Sequence, residues 1–299
     1  STLVVTNRYP DDGNQIGDEG AKYFADALKK NKTLKILQLS HNEISDIGVQ
    51  YLANVLQNNT TLTRVILRDY REETNKITDT GAQVLVDALQ NNTTLEELKL
   101  NNNSSEYCAV AEATIVLRNN RTITTLYLLE KTIVDKEVQH LANALEYNRT
   151  LTRLGLGFNQ IGDNGAKYLS DALRNNITLT KLNLRNNQIK DIGVQCLADV
   201  LKTNETLVTL DLQSNQIGDI GAQYLADVLR NNKTLNTLNL DSNQIEDAGA
   251  QQMASALKNN ETLEELTLAK NKISNELRDR LTKEDRRFCF LSILRYSED

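Results

Sequence analysis

The strongest constraint in this chain is a period. Apolar residues that open a recurring pattern stand at Leu34, Leu62, Leu95, Ile123, Leu151, Leu179, Leu207, Leu235 and Leu263. The step is 28 residues everywhere except from Leu62 to Leu95, where it is 33. A fixed period of this length means stacked supersecondary units, none of which can bury its apolar side alone. The unit from Leu207 to Asn232 shows the physics. Leu207, Leu210 and Leu212 alternate with polar residues, which predicts a short strand with one face buried. Asn215 and Ile217 turn the chain, and stacked Asn side chains are expected to satisfy the backbone of the turn as a ladder. Asp219 precedes Ile220-Gly221-Ala222 and is expected to cap the helix that follows. Leu225, Ala226 and Leu229 fall at helical spacing, and Asn232 is expected to end the helix in the left-handed conformation.

The pattern L-x-x-L-x-L-x-x-N-x-I followed by G-A-x-Y-L-A-x-x-L resembles the leucine-rich repeats, specifically the long, helix-bearing type of the ribonuclease inhibitor, and covers nearly the whole chain. The resemblance implies an α/β leucine-rich-repeat solenoid, a horseshoe of about ten repeats with parallel strands on the concave side and helices on the convex side. Strand-to-helix crossovers are expected to be right-handed. The expected organisation is an irregular first repeat over 1–33, one solenoid domain over 34–282 and a capping tail over 283–299. The ribonuclease inhibitor is rich in cysteine, whereas this chain has 3: Cys108, Cys196 and Cys289, expected as free buried thiols.

The net charge of -6 argues against bulk attraction to nucleic acid or anionic membrane. No apolar run reaches the roughly 20 residues of a spanning helix, and no signal-like stretch opens the chain. Few cysteines point to the cytoplasm, which would be the host cytosol for a delivered effector. The absence of an initiating Met suggests either a piece cut from a longer chain or a processed one, so that an upstream domain or targeting segment could be missing.

Irregularities are few. Leu3-Val4-Val5 reads as a first strand, followed by a loop holding the only proline, Pro10. Five extra residues fall after Leu67, within Arg68 to Thr74. The repeats from Leu95 to Glu146 depart furthest: Tyr107 replaces the Asp, Ala109 and Glu137 the helix Gly, Lys131 the ladder Asn, and Glu112 and His140 the helix Tyr. These changes read as drift or as a functional region. A helix is expected near Asn275 to Thr282, with Phe288, Phe290, Leu291, Ile293 and Leu294 covering the last repeat.

Alternation along each strand projects Thr209, Asp211 and Gln213, and their counterparts in other repeats, onto the concave face. Arg64, Arg68, Lys99, Arg153, Lys181 and Arg185 make its first two-thirds mostly basic, with Glu97 interrupting. Asp211, Asp241 and Glu265 make the last third acidic. Near the middle, Tyr127 and Leu129 adjoin Gly155 and Gly157, with Phe158 just beyond: apolar side chains beside bare backbone, which suggests a shallow groove.

No phosphate loop and no nucleophile elbow is present, and His41 and His140 lie in different registers of distant repeats. The reading is therefore of a non-catalytic protein-interaction scaffold with no cofactor and no metal. It holds a protein partner on its concave face, and it is a monomer unless the N-terminal edge pairs. Near-identical, Asn-rich repeats such as Asn159 to Asn176 and Asn215 to Asn232 resemble those of effectors that intracellular bacteria deliver into host cells. The alternatives are the ligand-sensing repeats of an intracellular innate-immune receptor and a GTPase-activating protein of the leucine-rich-repeat type, a family that typically carries a long acidic tail where this chain has only Ser297-Glu298-Asp299.

Nine N-x-T sequons, from Asn31-Lys32-Thr33 to Asn260-Glu261-Thr262, each stand immediately before a repeat start. Their fixed register marks them as structural. None is expected to carry glycan in the native source. The intact mass of the natural protein checks this, and a shift of several hexose-sized increments would refute it.

Overall fold

The computed structural model describes residues 1–5, 14–68, 75–103, 105 and 107–290. The Pro10 loop, the inserted residues 69–74 and the apolar tail beyond Phe290 lie outside the described residues. The chain divides into two compact units, Ser1–Ile123 and Thr124–Asp299.

The first unit alternates β1 (Thr2–Val4), α1 (Gly17–Lys30), β2 (Ile36–Gln38), α2 (Asp46–Leu56), β3 (Arg64–Ile66), α3 (Asp79–Ala88), β4 (Glu97–Lys99) and α4 (Tyr107–Asn119). Its four strands pair in parallel in chain order. The second unit runs β5 (Thr125–Tyr127), α5 (Asp135–Tyr147), β6 (Arg153–Gly155), α6 (Asp163–Leu173), β7 (Lys181–Asn183), α7 (Asp191–Leu201) and β8 (Thr209–Asp211). It continues with α8 (Asp219–Leu229), β9 (Thr237–Asn239), α9 (Asp247–Leu257), β10 (Glu265–Thr267), α10 (Asn275–Glu284) and β11 (Phe288–Cys289). Its seven strands are again parallel and sequential. In both units each crossover passes through a helix, as a parallel sheet requires.

The buried positions are those the period predicts. Leu210, Leu212, Ile217, Ala222, Leu225 and Leu229 are at most 1 % exposed. Three sets of polar side chains then bind each repeat to its neighbour. The first is the turn Asn. Asn215 accepts from the Ile189 N–H of the preceding repeat (3.0 Å) and donates to the carbonyls of Leu184 and Leu212 (3.0 and 3.1 Å). Asn187, Asn243 and Asn271 repeat this set of bonds. The expected ladder is present.

The second set consists of the sequon Asn residues. Asn176 Oδ1 accepts from the N–H groups of Thr178 and Leu179 (3.0 and 2.8 Å), and its Nδ2 donates back to Leu145 C=O (2.8 Å). Asn232 and Asn260 do the same one and two repeats further on from Asn204. These residues do not adopt the expected left-handed conformation; they form side-chain turns that tie the end of one helix to the start of the next strand. The Thr of the N-x-T motif adds its hydroxyl to the same oxygen in several repeats, as Thr61, Thr94, Thr122 and Thr206 do. Asn59, Asn92, Asn148, Asn176, Asn204, Asn232 and Asn260 are all under 9 % exposed, which leaves no room for a glycan at these seven in the folded chain, whereas Asn31 is exposed and Asn120 half-buried.

The third set corrects an expectation. Asp219 does not cap its own helix; that place falls to Gly218, which makes no side-chain cap bond. Its Oδ1 accepts from the N–H groups of Glu246 and Gly249, at the start of the next helix (2.8 and 3.0 Å). Asp163 and Asp191 do likewise for the helices after theirs. The carboxylate thus serves the free donors and positive dipole end of its neighbour. The helix Gly is explained at once: a Cβ on Gly193, Gly221 or Gly249 would stand 2.6–2.7 Å from that carboxylate oxygen.

The irregular repeats replace these bonds locally. Just past β4 the Leu100 N–H donates to Glu112 Oε1 (2.5 Å), and burial pushes the Glu112 carboxyl upward in pKa. At α5 the Val134 N–H donates to Glu137 Oε2 (2.7 Å). At the other end, Arg287 donates to the carbonyls of Leu257 (2.7 Å) and Asn260, where the next sequon Asn would reach, and is itself clamped by Asp285. Phe288 is buried beside it, in the role expected of the tail. Cys108 is buried as expected, whereas Cys196 and Cys289 are only half-buried.

Gly193→Ala should lower stability in urea unfolding by about 1–3 kcal/mol, because the new methyl displaces Asp163 from its two donors. In combination with Asp163→Ala the two costs should fall short of their sum. Strict additivity would show that the carboxylate does not select the glycine.

Candidate functional site

The strands β2 to β10 are three residues long, with the two ends turned to the open face of the sheet and the central residue buried, except in β5, where Leu126 is half-buried. The projected map therefore holds at the first two outward positions of each repeat. At the third position, past the strand, it is mixed: Arg68, Leu129, Arg185 and Gln213 stay half-exposed, whereas others turn inward. Ser40, Asp241 and Ala269, expected outside, are at most 5 % exposed. Asp241 accepts from Ala269 N–H (2.7 Å) and is a structural residue rather than part of an acidic surface.

In the first unit the expected basic side chains are largely neutralised. Arg64 pairs with Glu97, its register partner on β4. Lys99 Nζ stands 3.7 Å from Glu97 and 3.9 Å from Glu112. Arg64, Glu97 and Lys99 line a groove of about 380 Å³ together with Val116 of α4 and Asn120 just beyond it. Arg68 is half-buried.

The second unit brings the aromatic and glycine residues together. Tyr127, at the end of β5, is 50 % exposed. Its register partner is Gly155. The ring lies flat across that glycine so closely that a Cβ there would collide with it. Gly157 is also buried, because Arg185 folds back over it: a Cβ on Gly157 would stand 3.0 Å from Arg185 Cγ. The Arg185 guanidinium then sits 4.7 Å from the centre of the Phe158 ring, a stacked cation–π pair worth about 0.5–1 kcal/mol at an exposed site. The two expected gap-making glycines are thus floors beneath neighbouring side chains rather than an empty groove. Leu129 is half-buried at the same end.

Phe158 carries a feature no sequence pattern announced. Its φ is +58°, in the left-handed region. The same position is left-handed in Glu130, Asn186, Ser214, Ser242 and Lys270. A bulky aromatic is an unfavourable occupant there, and 38 % of its surface is exposed. Packing does not require it.

Arg153 and Lys181 are register partners on β6 and β7. Neither they nor Arg185 form an ion pair among the described residues. The next strand supplies the only carboxylate among the outward positions of β6, β7 and β8, Asp211. It accepts from Gln213 N–H (3.0 Å). Burial pushes its pKa up to about 6, against the pull of that bond and of Arg185. Sequence reading found Asp211 but not its half-buried state. Among the described residues no group of three or more His, Cys, Asp or Glu side chains could hold a metal ion, and no helix is long and apolar enough to cross a membrane.

Comparison with known proteins places the repeats. A model described as the TMOD/LMOD leucine-rich domain matches residues 14–124. A leucine-rich-repeat model matches 147–170, 175–198, 203–226 and 231–254. No curated protein sequence matches. Among solved structures the chain is similar to leiomodin-1 actin-binding site 2, with 22 % identity, TM-score 0.46, and coverage of 59 % of this chain and 96 % of that one. It is also similar to the tropomodulin C-terminal domain of Caenorhabditis elegans, with 15 % identity, TM-score 0.44, and coverage of 50 % and 92 %. An internalin of Listeria monocytogenes gives 21 % identity, TM-score 0.34, and coverage of 92 % and 94 %. With the strand–helix alternation, the buried leucines and the Asn ladder already in place, the two family models identify the chain as a leucine-rich-repeat protein.

Proposed function

We propose that this chain is a non-catalytic protein-binding scaffold, of the ribonuclease-inhibitor-like type, that acts in the cytoplasm and holds a protein partner on its strand face. The observation that carries the reading is the cluster in the second unit. Tyr127 lies across Gly155, and Phe158 is held in a strained conformation with Arg185 stacked on it. Tyr, Phe and Arg are the side chains that anchor interfaces, and a bulky aromatic at a left-handed position that the other repeats fill with polar residues is not called for by the repeat itself. Arg153 and Lys181 lie beside the cluster, so the partner surface is acidic around an apolar centre. Arg64, Arg68 and Lys99 of the first unit are assigned to the same role more weakly, because Glu97 and Glu112 already offset two of them. A delivered bacterial effector is the setting the repeat sequences favour.

Truncating an interface anchor costs upwards of about 2 kcal/mol. Tyr127→Ala should therefore weaken binding at least roughly thirtyfold with unchanged thermal stability, because this ring packs on backbone rather than in the core. Ile220→Ser, which alters an exposed residue on the helix side, should bind as wild type. The measurement is calorimetric titration of a partner identified by cross-linking and mass spectrometry. Actin is included as a defined candidate, since the leiomodin-1 domain that resembles this fold is described as an actin-binding site. Equal loss from both variants, or none from Tyr127→Ala, would refute the interface.

A further inference from the structure

The strand face of the second unit sets one acid among three bases. The outward positions of β6, β7 and β8 carry Arg153, Lys181, Arg185 and Asp211 as their only charges. Arg185 is fixed: its N–H donates to Asn183 Oδ1 (3.0 Å), its stem lies on Gly157, and its guanidinium is stacked on Phe158. Asp211 is the register partner of Asn183, one outward position away from Arg185 on the paired strand. Its carboxylate is half-buried, and no cation lies within ion-pair distance among the described residues. An acid in that place does little for the fold beyond holding Gln213 N–H. It does offset the charge of the arginine that the interface presents.

Resting on the scaffold reading above, we propose that Asp211 is a proton-operated gate on this interface: protonating it unmasks Arg185, so that an acidic, aromatic-bearing protein segment binds more tightly as pH falls. The groups that face Asp211 fit this. Arg185, just past β7, favours the ionised form, as does the Gln213 N–H, while Lys181 and Arg153 stand further along the same face. Asp241, after β9, disfavours it, and Glu265 of β10 disfavours the ionised form of Asp241 in turn. Burial is the largest contribution and places the titration of Asp211 near pH 6, within the range cellular compartments span. Ionised, Asp211 subtracts a charge from a face that otherwise carries three; protonated, it leaves the face fully basic.

The sign for folding is fixed as well. A carboxyl whose folded pKa lies above its unfolded value binds more protons when folded, so it contributes stability below that window and loses it as pH rises. For Asp211 the loss runs between about pH 4 and about pH 6. Asp241 shares the direction.

The test uses the whole chain and a labelled peptide in which cysteic acid alternates with phenylalanine, whose sulfonates stay ionised throughout. Between pH 7.5 and pH 5, wild-type affinity should rise on the order of threefold to tenfold, as expected for lifting one nearby opposing charge. Asp211→Asn should bind at the tight limit at both pH values, and its stability should fall less than that of wild type as pH rises from 4 to 6. Binding that is equally tight at both pH values in wild type, or a pH dependence that survives in Asp211→Asn, overturns the gate while leaving the interface standing. Binding that Tyr127→Ala does not weaken, or no binding by wild type at either pH, overturns the interface and the gate together.

Discussion

The structure depends on one kind of bond, a short polar side chain of one repeat satisfying the backbone of the next. A three-residue strand and an eleven-residue helix leave many N–H and C=O groups at their ends without partners. Bonds within one repeat, such as Asn215 to the Leu212 carbonyl, leave many of them still to be met. Asn215, Asp219 and Asn232 meet these by reaching one repeat away. Each such bond is worth about 1 kcal/mol net, but a buried donor left without its partner costs about 1–3 kcal/mol. The polar positions are therefore as strictly required as the leucines. They also account for the glycines at the helix starts and for the Thr of several sequons.

That constraint explains what was legible in the sequence. Leu210, Leu212 and Ile217 were legible because burial repeats with the period. The turn Asn was legible because its amide has an obvious use at a tight bend. Asp219 was misassigned because sequence shows that a helix start needs a carboxylate but not which of two adjacent helices receives it. Asn232 was misassigned for a related reason. Helix-ending Asn is often left-handed, and here its carbonyl oxygen is instead occupied by two N–H groups of the following turn.

The candidate site was legible in part. Tyr127, Gly155, Gly157 and Arg185 were selected from alternation and Phe158 as the residue just beyond, and the structure brings them together. Their arrangement was not foreseen, because alternation says which way a side chain leaves the strand and nothing of where its end goes. The glycines are covered by Tyr127 and Arg185. The strained Phe158 conformation and the burial of Asp241 both arise just past the strand, where a period-2 rule no longer applies. The basic face foreseen across the first unit is weakened by Glu97 and Glu112, the latter a residue that replaces a helix Tyr and turns to the strand backbone instead.

The central claim is that cross-repeat side-chain bonds, rather than helix or strand propensity, hold each repeat in place. Native-state hydrogen exchange on wild type and Asn215→Ala tests it directly. The Ile189 N–H, which donates to Asn215 from the preceding repeat, should lose protection by roughly one to two orders of magnitude, as removing about 1–3 kcal/mol implies. The Ile245 N–H, bound to Asn271, should change far less. Unchanged protection at Ile189, or an equal loss at both amides, would contradict the account.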